Sequence, residues 1–302
     1  MDQLIEEFLD YLRYERRRSE RTVESYGEDL RAFKGYVSGL EGELSWATID
    51  SDVIRGWMEL MMDKGNTATS VNRRLSSLRT FYRFALARKR VEHDPAHTVK
   101  GPKKAKPLPQ YLREEEMDRL LSAEFWSNIY KDVRARTIIL VFYSTGIRLS
   151  ELVGLNDSSV DYVSCQLKVL GKRNKERIIP FGPELRDALL EYQRQRDETL
   201  GFTPEALFVA KSGRRMTPRQ VRAVVKENLA RVTTLKKKSP HVLRHTFATA
   251  MLNNESSLES VQKLLGHESV ATTEIYTHTT FEQLRRAYAK AHPRGEGNDD
   301  NL

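Results

Sequence analysis

A mainly α-helical chain, with two folded units and a small antiparallel sheet in the second, is what the amino-acid order predicts. Three observations lead there. Apolar residues recur at helical spacing through most of the chain. A stretch rich in proline and lysine interrupts that pattern near residue 100. Beyond it, two short runs flank a polar turn, the mark of a hairpin. The length of 302 residues fits two domains at roughly 100–200 residues each.

The elements follow in order. Leu4, Ile5, Phe8, Leu9 and Leu12 form one helical face. Ser19 can cap a second helix carrying Val23, Tyr26, Leu30 and Phe33, with Gly35 or Gly39 near its end. Asp50 or Ser51 can cap a third, with Val53, Ile54, Trp57, Met58 and Met61 inward and an end at Gly65. A fourth spans Thr67 to Arg88, with Val71, Leu75, Leu78, Phe81, Tyr82 and Ala85 inward. Its other face carries Arg73, Arg74, Arg79 and Arg83, which is either an ordinary solvated face or a helix lying against phosphates. From His93 to Gln110 four prolines and four lysines predict an extended, basic linker. Helices are expected again at 113–122 and 132–144, strands at 165–170 and 177–181, and helices at 183–198, 217–232, 240–252, 258–265, 270–277 and 281–292. The domain plan is therefore a helical unit over 1–94, a linker over 95–110, a second unit over 111–293 and a frayed polar tail over 294–302.

Composition narrows the function. Apolar residues make up 39% of the chain, too many for a disordered one. The longest mid-chain apolar run, Ile138 to Tyr143, is far short of the ~20 residues a membrane span needs. The N-terminus, Met1 to Glu7, is acidic and lacks an apolar signal core, so a cytoplasmic protein without a membrane partner is expected. The single cysteine, Cys165, excludes an internal disulfide and a cysteine-based zinc site. The net charge is +8. Residues 1–100 hold 17 basic and 17 acidic side chains, so the surplus lies wholly in the remainder, where 33 face 25. Such a surplus suggests a polyanion, with nucleic acid the usual candidate.

Four segments carry chemistry. In Ser144-Thr145-Gly146-Ile147-Arg148-Leu149-Ser150-Glu151-Leu152, Gly146 breaks an apolar helix and Arg148 stands at the corner. Lys172 sits in the hairpin turn Gly171-Lys172-Arg173-Asn174-Lys175-Glu176. In Ser239-Pro240-His241-Val242-Leu243-Arg244-His245, Ser239 is a good N-cap and Pro240 a good first helical residue. His241, Arg244 and His245 then share one face, at a helix start that favours anions. The His-x-x-x-His pair lacks the glutamate of the zinc-protease pattern, because Val242 follows His241. Fourth comes Leu264-Leu265-Gly266-His267, followed nine residues later by Tyr276. Each signal is weak alone. Together they suit phosphoryl transfer: two arginine forks for phosphate oxygens, a tyrosine nucleophile of pKa ~10 that needs a base or a positive field, histidines to move its proton and a lysine to protonate the leaving oxygen. No acidic cluster suited to Mg²⁺ stands out, so the arginines would take the metal's place, and no cofactor or metal is expected.

These six residues, Arg148, Lys172, His241, Arg244, His267 and Tyr276, resemble in identity, order and spacing the signature of the tyrosine recombinases, the phage-integrase family, and within it the Xer recombinases. The likeness runs along essentially the whole chain. It implies a SAM-like core-binding domain followed by a catalytic domain. Tyr276 would attack a backbone phosphate and form a 3′-phosphotyrosyl link. Arg148 and Arg244 would hold the non-bridging oxygens, Lys172 would act as general acid, His241 would assist proton transfer and His267 would bond the phosphate. The implied partners are a double-stranded recombination site, a homo- or hetero-tetramer of recombinases on two sites, and a DNA translocase. Candidate DNA contacts are Arg73, Arg74, Arg79, Lys103, Lys104, Arg173 and Lys175. Two departures from the family pattern stand out. Arg173 occupies a usual glycine position, and Asn253-Asn254 replaces the glycine after the Arg244 helix, where asparagine can adopt the left-handed conformation. The amphipathic segment Phe281 to Tyr288 either packs on its own domain or, by resemblance, docks into a neighbouring protomer.

Overall fold

The computed structural model describes residues 1–41, 44–104, 110–171, 175–254, 256–266 and 278–295, the last with backbone only up to 283. The chain divides into two compact units, Met1–Pro107 and Leu108–Leu302.

The first unit is helical. Helix α1 (Asp2–Asp10) runs into one π-helical turn, Tyr11–Glu15. Helices α2 (Glu20–Val37), α3 (Ser51–Asp63) and α4 (Ala68–Ala87) follow. The Asp50 cap expected for α3 forms: its Oδ1 accepts from the backbone N–H groups of Asp52 and Val53, both at 2.9 Å. Thr67 caps α4 in the same way, its Oγ1 accepting from Ser70 N–H. Ser19 occupies the N-cap of α2, but its hydroxyl pairs with that of Thr22 rather than with the backbone. The inward faces read from the spacing meet in one core, where the Phe8 and Phe81 rings cross edge to face at 5.5 Å. The proline-rich stretch departs from an extended path at its start. Pro95 opens a single helical turn, α5 (Pro95–Thr98), capped by the Asp94 carboxylate, and Ala96 and Val99 are buried in the core. Proline suits a first helical turn as well as an extended strand, so the residue type alone could not decide.

The second unit combines helices with a three-stranded antiparallel sheet. Helices α6 (Glu114–Leu121), α7 (Tyr130–Thr145) and α8 (Leu149–Gly154) precede strands β1 (Val160–Asp161), β2 (Gln166–Leu170) and β3 (Glu176–Pro180), in sheet order β1-β2-β3. Helices α9 (Pro183–Leu200), α10 (Pro218–Leu229), α11 (Pro240–Asn253), α12 (Leu258–Leu265) and α13 (His278–Ala291) follow. Helix α7 is buried on nearly all sides from Thr137 to Thr145, which explains its unbroken apolar run. The expected helix over 270–277 lies outside the described residues.

One detail departs from the sequence reading, and another follows one of its two alternatives. Asn254 ends α11 with φ −94°, not in the left-handed region, and its side-chain amide donates instead to the Ala291 carbonyl at 3.0 Å. Helix α13 lies against its own unit: Leu284, Tyr288 and Ala291 are buried in the core of that unit. His292 extends this anchor. Its Nδ1 accepts from the Arg294 backbone N–H at 3.1 Å, so its Nε2–H donates to the Tyr143 carbonyl, also at 3.1 Å.

Candidate active site

The site starts from a helix that has to stop. Gly146 takes φ +59° at the end of α7, and a Cβ there would run into Phe247 and come within 2.8 Å of Leu265. Only glycine allows that conformation and that approach together. The turn therefore sits directly on α11 and α12, and Arg148 follows it as the N-cap residue of α8. The carboxylate of Glu151, three residues on, accepts from the Arg148 backbone N–H at 2.7 Å and from its Nη1 at 3.0 Å. Glu151 is buried, while the Arg148 side chain keeps 29% of its surface open.

Arg244 comes from the first turns of α11. It is buried, and it donates from Nη1 to the Gly146 carbonyl and from Nη2 to the Leu265 carbonyl at 2.7 Å. Arg148 donates from Nη2 to the next carbonyl, that of Gly266, at 2.8 Å. Arg177, inward-facing on β3, donates from Nε to the preceding one, Leu264, at 3.1 Å, and forks onto both Glu151 oxygens at 2.7 and 2.9 Å. Three arginines thus hold three consecutive carbonyls at the C-terminal end of α12. Those carbonyls have no partner within the helix and carry its negative dipole end.

The charges do not balance. Among the described residues, three guanidinium groups meet one carboxylate, and backbone carbonyls supply the rest of the compensation. Burial, and then the charge of Arg148, pulls the Arg244 pKa down to about 10. Burial alone would raise the Glu151 pKa, but the hydrogen bonds and charge of Arg177, aided by Arg148, hold it below the usual carboxylate value. His241, on the same helix face as Arg244 and His245, has its pKa lowered by partial desolvation, by its neighbour His245 and by the positive charges of Arg244, Arg222 and Arg148. It is a neutral imidazole at pH 7, with a nitrogen free to accept a proton. Among the described residues, the site presents a positive edge at the end of α12.

Of the six expected site residues, the structure brings Arg148, His241 and Arg244 together. Lys172, His267 and Tyr276 lie outside the described residues, as does Arg173, although Gly266 brings the chain to the arginine cluster one residue before His267. Lys175 is exposed, as are Lys103 and Lys104 in the first unit, and none of the three has a side-chain partner among the described residues. The helical arginines are more engaged. Arg73 forks onto the buried Asp29 and donates to Ser25 Oγ at 2.8 Å, and Arg74 Nε stands 3.7 Å from the same carboxylate. Arg79 donates to the Ala96 carbonyl at 3.1 Å and to that of Val99, clasping α5 onto α4.

Sequence reasoning missed Glu151 and Arg177. Glu151 had a signal, since a glutamate three residues after a helix start completes a capping box. Arg177 had a weaker one: it shares the inward phase of β3 with Ile179, where a charge needs a buried partner.

Two family models match the chain: the phage integrase family over residues 110–283, and the N-terminal SAM-like domain of phage integrases over residues 5–89. The chain belongs to the phage integrase family, the tyrosine recombinases, site-specific DNA recombinases that cleave and rejoin strands. Among curated relatives it is similar to the tyrosine recombinase XerC of Chlorobaculum tepidum, at 36% identity over 95% of this chain and 94% of that one. It is as similar to XerD of Oceanobacillus iheyensis, at 34% over 97% and 99%. In fold it resembles the XerH site-specific recombinase bound to a palindromic difH substrate, with a TM-score of 0.70, 21% identity and coverage of 89% and 79%.

Proposed function

We propose that the chain recombines DNA through a covalent 3′-phosphotyrosyl intermediate on Tyr276. The observation that carries this reading is the pair Arg148 and Arg244, set on adjacent carbonyls with more positive charge than Glu151 can neutralise. A phosphodiester offers an anion that matches this charge, and the transition state, with charge gathering on its non-bridging oxygens, offers more. Preset guanidinium groups bind that charge without reorganising. Tyr276 Oη attacks phosphorus, the bond to the 5′-oxygen breaks, and Lys172 gives that oxygen its proton. His241, neutral at pH 7, takes part in the proton transfer, and His267 bonds the phosphate. The phosphotyrosine keeps the bond energy, so a 5′-hydroxyl from a partner strand reverses the step without ATP. The residues present need no metal to neutralise the phosphate.

The substrate in this reading is a double-stranded recombination site, contacted by Lys103, Lys104, Arg173 and Lys175. Exchange between two sites needs a tetramer of recombinases. The even similarity to XerC and XerD relatives favours Xer-type resolution of chromosome or plasmid multimers in the cytoplasm, with a DNA translocase as a further partner. The test is a nicked suicide duplex. The wild-type chain should accumulate a protein–DNA adduct that maps to Tyr276, and Tyr276→Phe should bind the duplex yet form none. An adduct in Tyr276→Phe would end the assignment.

A further inference from the structure

Arg177 has no part in the chemistry above, yet it is among the best-paired side chains of the second unit. It is 7% exposed, and a guanidinium taken that far from water survives only when its donors are matched. Its Nη1 and Nη2 take one Glu151 oxygen each, and its Nε takes the Leu264 carbonyl. The same two oxygens also hold Arg148, Oε1 by its Nη1 and Oε2 by its backbone N–H. Arg177 and Arg148 are therefore two clients of one buried carboxylate. Whatever Arg177 leaves unsatisfied on Glu151, Arg148 must answer.

A second constraint runs through α12. The carbonyls of Leu264, Leu265 and Gly266 go to Arg177, Arg244 and Arg148 in that order. Fixing the first sets the register of the other two. Gly266 has φ +66°, and a Cβ there would meet the Arg177 guanidinium at 3.3 Å, so that group lies flat against the turn. The base of the β2–β3 hairpin joins the same knot. Gly171 N–H donates to the Lys175 carbonyl at 2.8 Å, and a Cβ on Gly171 would stand 3.6 Å from Arg177 Nη1. Hairpin base, α8 start and α12 end thus meet on one guanidinium that is closed off from solvent.

We propose that Arg177 is a positioning residue for strand cleavage: through Glu151 and the Leu264 carbonyl it holds the Arg148 guanidinium in the orientation that meets a non-bridging phosphate oxygen, without touching DNA itself. This rests on the phosphoryl-transfer reading above. Lysine at 177 keeps a cation in the cavity but offers one ammonium where three directed N–H donors stood. Glu151 then turns more of its capacity to Arg148, and the fork that should face the phosphate is drawn back.

The experiment uses the full chain and a nicked duplex of the site that the wild-type chain itself selects from random-sequence DNA. Single-turnover cleavage is measured on two versions, an ordinary scissile phosphodiester and a methylphosphonate, in which a methyl replaces one non-bridging oxygen and removes the charge. Arg177→Lys should slow the phosphodiester about 10–100-fold, as expected for a misplaced catalytic group. On the methylphosphonate the deficit should shrink to within about threefold, because little charge remains for Arg148 to bind. Arg148→Lys should behave alike, and the double variant should be no slower than Arg148→Lys alone. Equal slowing on both substrates, additive losses in the double variant, or no slowing at all would overturn the proposal. Should Arg177→Lys melt at the assay temperature, Glu151→Gln replaces it and must give the same substrate pattern. A wild-type chain that forms no Tyr276 adduct overturns the phosphoryl-transfer reading and the proposal with it. A wild-type adduct together with an unimpaired Arg177→Lys overturns the proposal alone.

Discussion

Two buried carboxylates, one in each unit, gather arginines, and they use them differently. In the first unit Asp29 on α2 receives Arg73 and Ser77 from α4, with Arg74 at 3.7 Å. In the second, Glu151 receives Arg148 and Arg177. The Asp29 cluster ties two neighbouring helices, and two of its three partners come from consecutive residues of one helix. The Glu151 cluster joins a helix start, a strand and, through carbonyls, the end of α12. A third arginine, Arg244, stands beside it with no carboxylate partner of its own among the described residues. Both carboxylates are outnumbered by arginines. Arg73 and Arg74 keep 48% and 28% of their side-chain surface open, so water answers the excess and Asp29 makes a brace. Arg177 and Arg244 are buried, and helix-end carbonyls hold the surplus guanidiniums in place, which makes a receptor for an outside anion.

The sharpest break in this comparison comes from the leaving group. Lys172→Ala should slow cleavage by roughly 10²–10⁴-fold, the span of general acid catalysis. A 5′-phosphorothiolate leaves as a thiolate and needs little protonation, so it should restore Lys172→Ala but not Arg148→Ala. Rescue of both would mean that the arginine also serves the leaving group.

Next come the carboxylates. Glu151→Ala should lower stability by about 3–5 kcal/mol, because it strands buried positive charge, and cleavage should fall with it. Asp29→Ala should cost stability too, and less, since Arg73 keeps 48% of its side-chain surface in water. Its bound complexes should cleave at the wild-type rate. Chemical denaturation and single-turnover cleavage separate the two. A cleavage defect in Asp29→Ala at saturating protein would break the contrast.

A third effect is carried by pH. Burial pushes the His292 pKa down to about 4, against a usual 6.5. Between those values the unfolded chain takes up a proton that the folded chain refuses, so stability falls as the pH drops from 6.5 toward 4, by up to about 3 kcal/mol. His292→Phe should flatten that slope, in melts of the full chain across the window. An unchanged slope would place the titration on other groups.

Much of this was legible in the sequence, for identifiable reasons. The helices with one clean apolar face, α2 to α4 and α9 to α12, announce themselves by period. Arg148 and Arg244 announce themselves by neighbours with mechanical meaning, the helix-stopping Gly146 and the helix-opening Ser239-Pro240 pair. The short α8, the two-residue strand β1 and the turn α5 were not legible, because fewer than two helical turns or a pair of residues carry no period. Arg177 looked like any charged hairpin residue. Its role depends on Glu151, 26 positions away, and on Leu264, 87 positions away, and spacing within a segment cannot report such pairings. Nor could residue type tell that Arg73 and Arg79 spend their donors inside the first unit.

A smaller effect concerns the open lysines. Lys103 and Lys104 are exposed, with no side-chain partner among the described residues. Replacing both with alanine should weaken binding evenly across sequences and reduce the salt slope of affinity by about one for each phosphate that a lysine had neutralised. A change in which sequences bind, rather than how tightly, would give them a base-reading role.

The central claim is that surplus positive charge at the end of α12 does the chemistry while the Asp29 cluster only braces. One paired measurement tests it: single-turnover formation of the Tyr276 adduct on a suicide duplex at saturating protein, for Arg148→Ala and Arg73→Ala, with melting temperatures taken on the same samples. Arg148→Ala should lose about 10²–10³-fold in cleavage, the usual cost of removing one preset donor to a charged transition state, and keep close to its wild-type melting temperature. Arg73→Ala should melt earlier and cleave at the wild-type rate once bound. Equal cleavage losses in the two variants, or an Arg148→Ala that cleaves normally, would contradict the account.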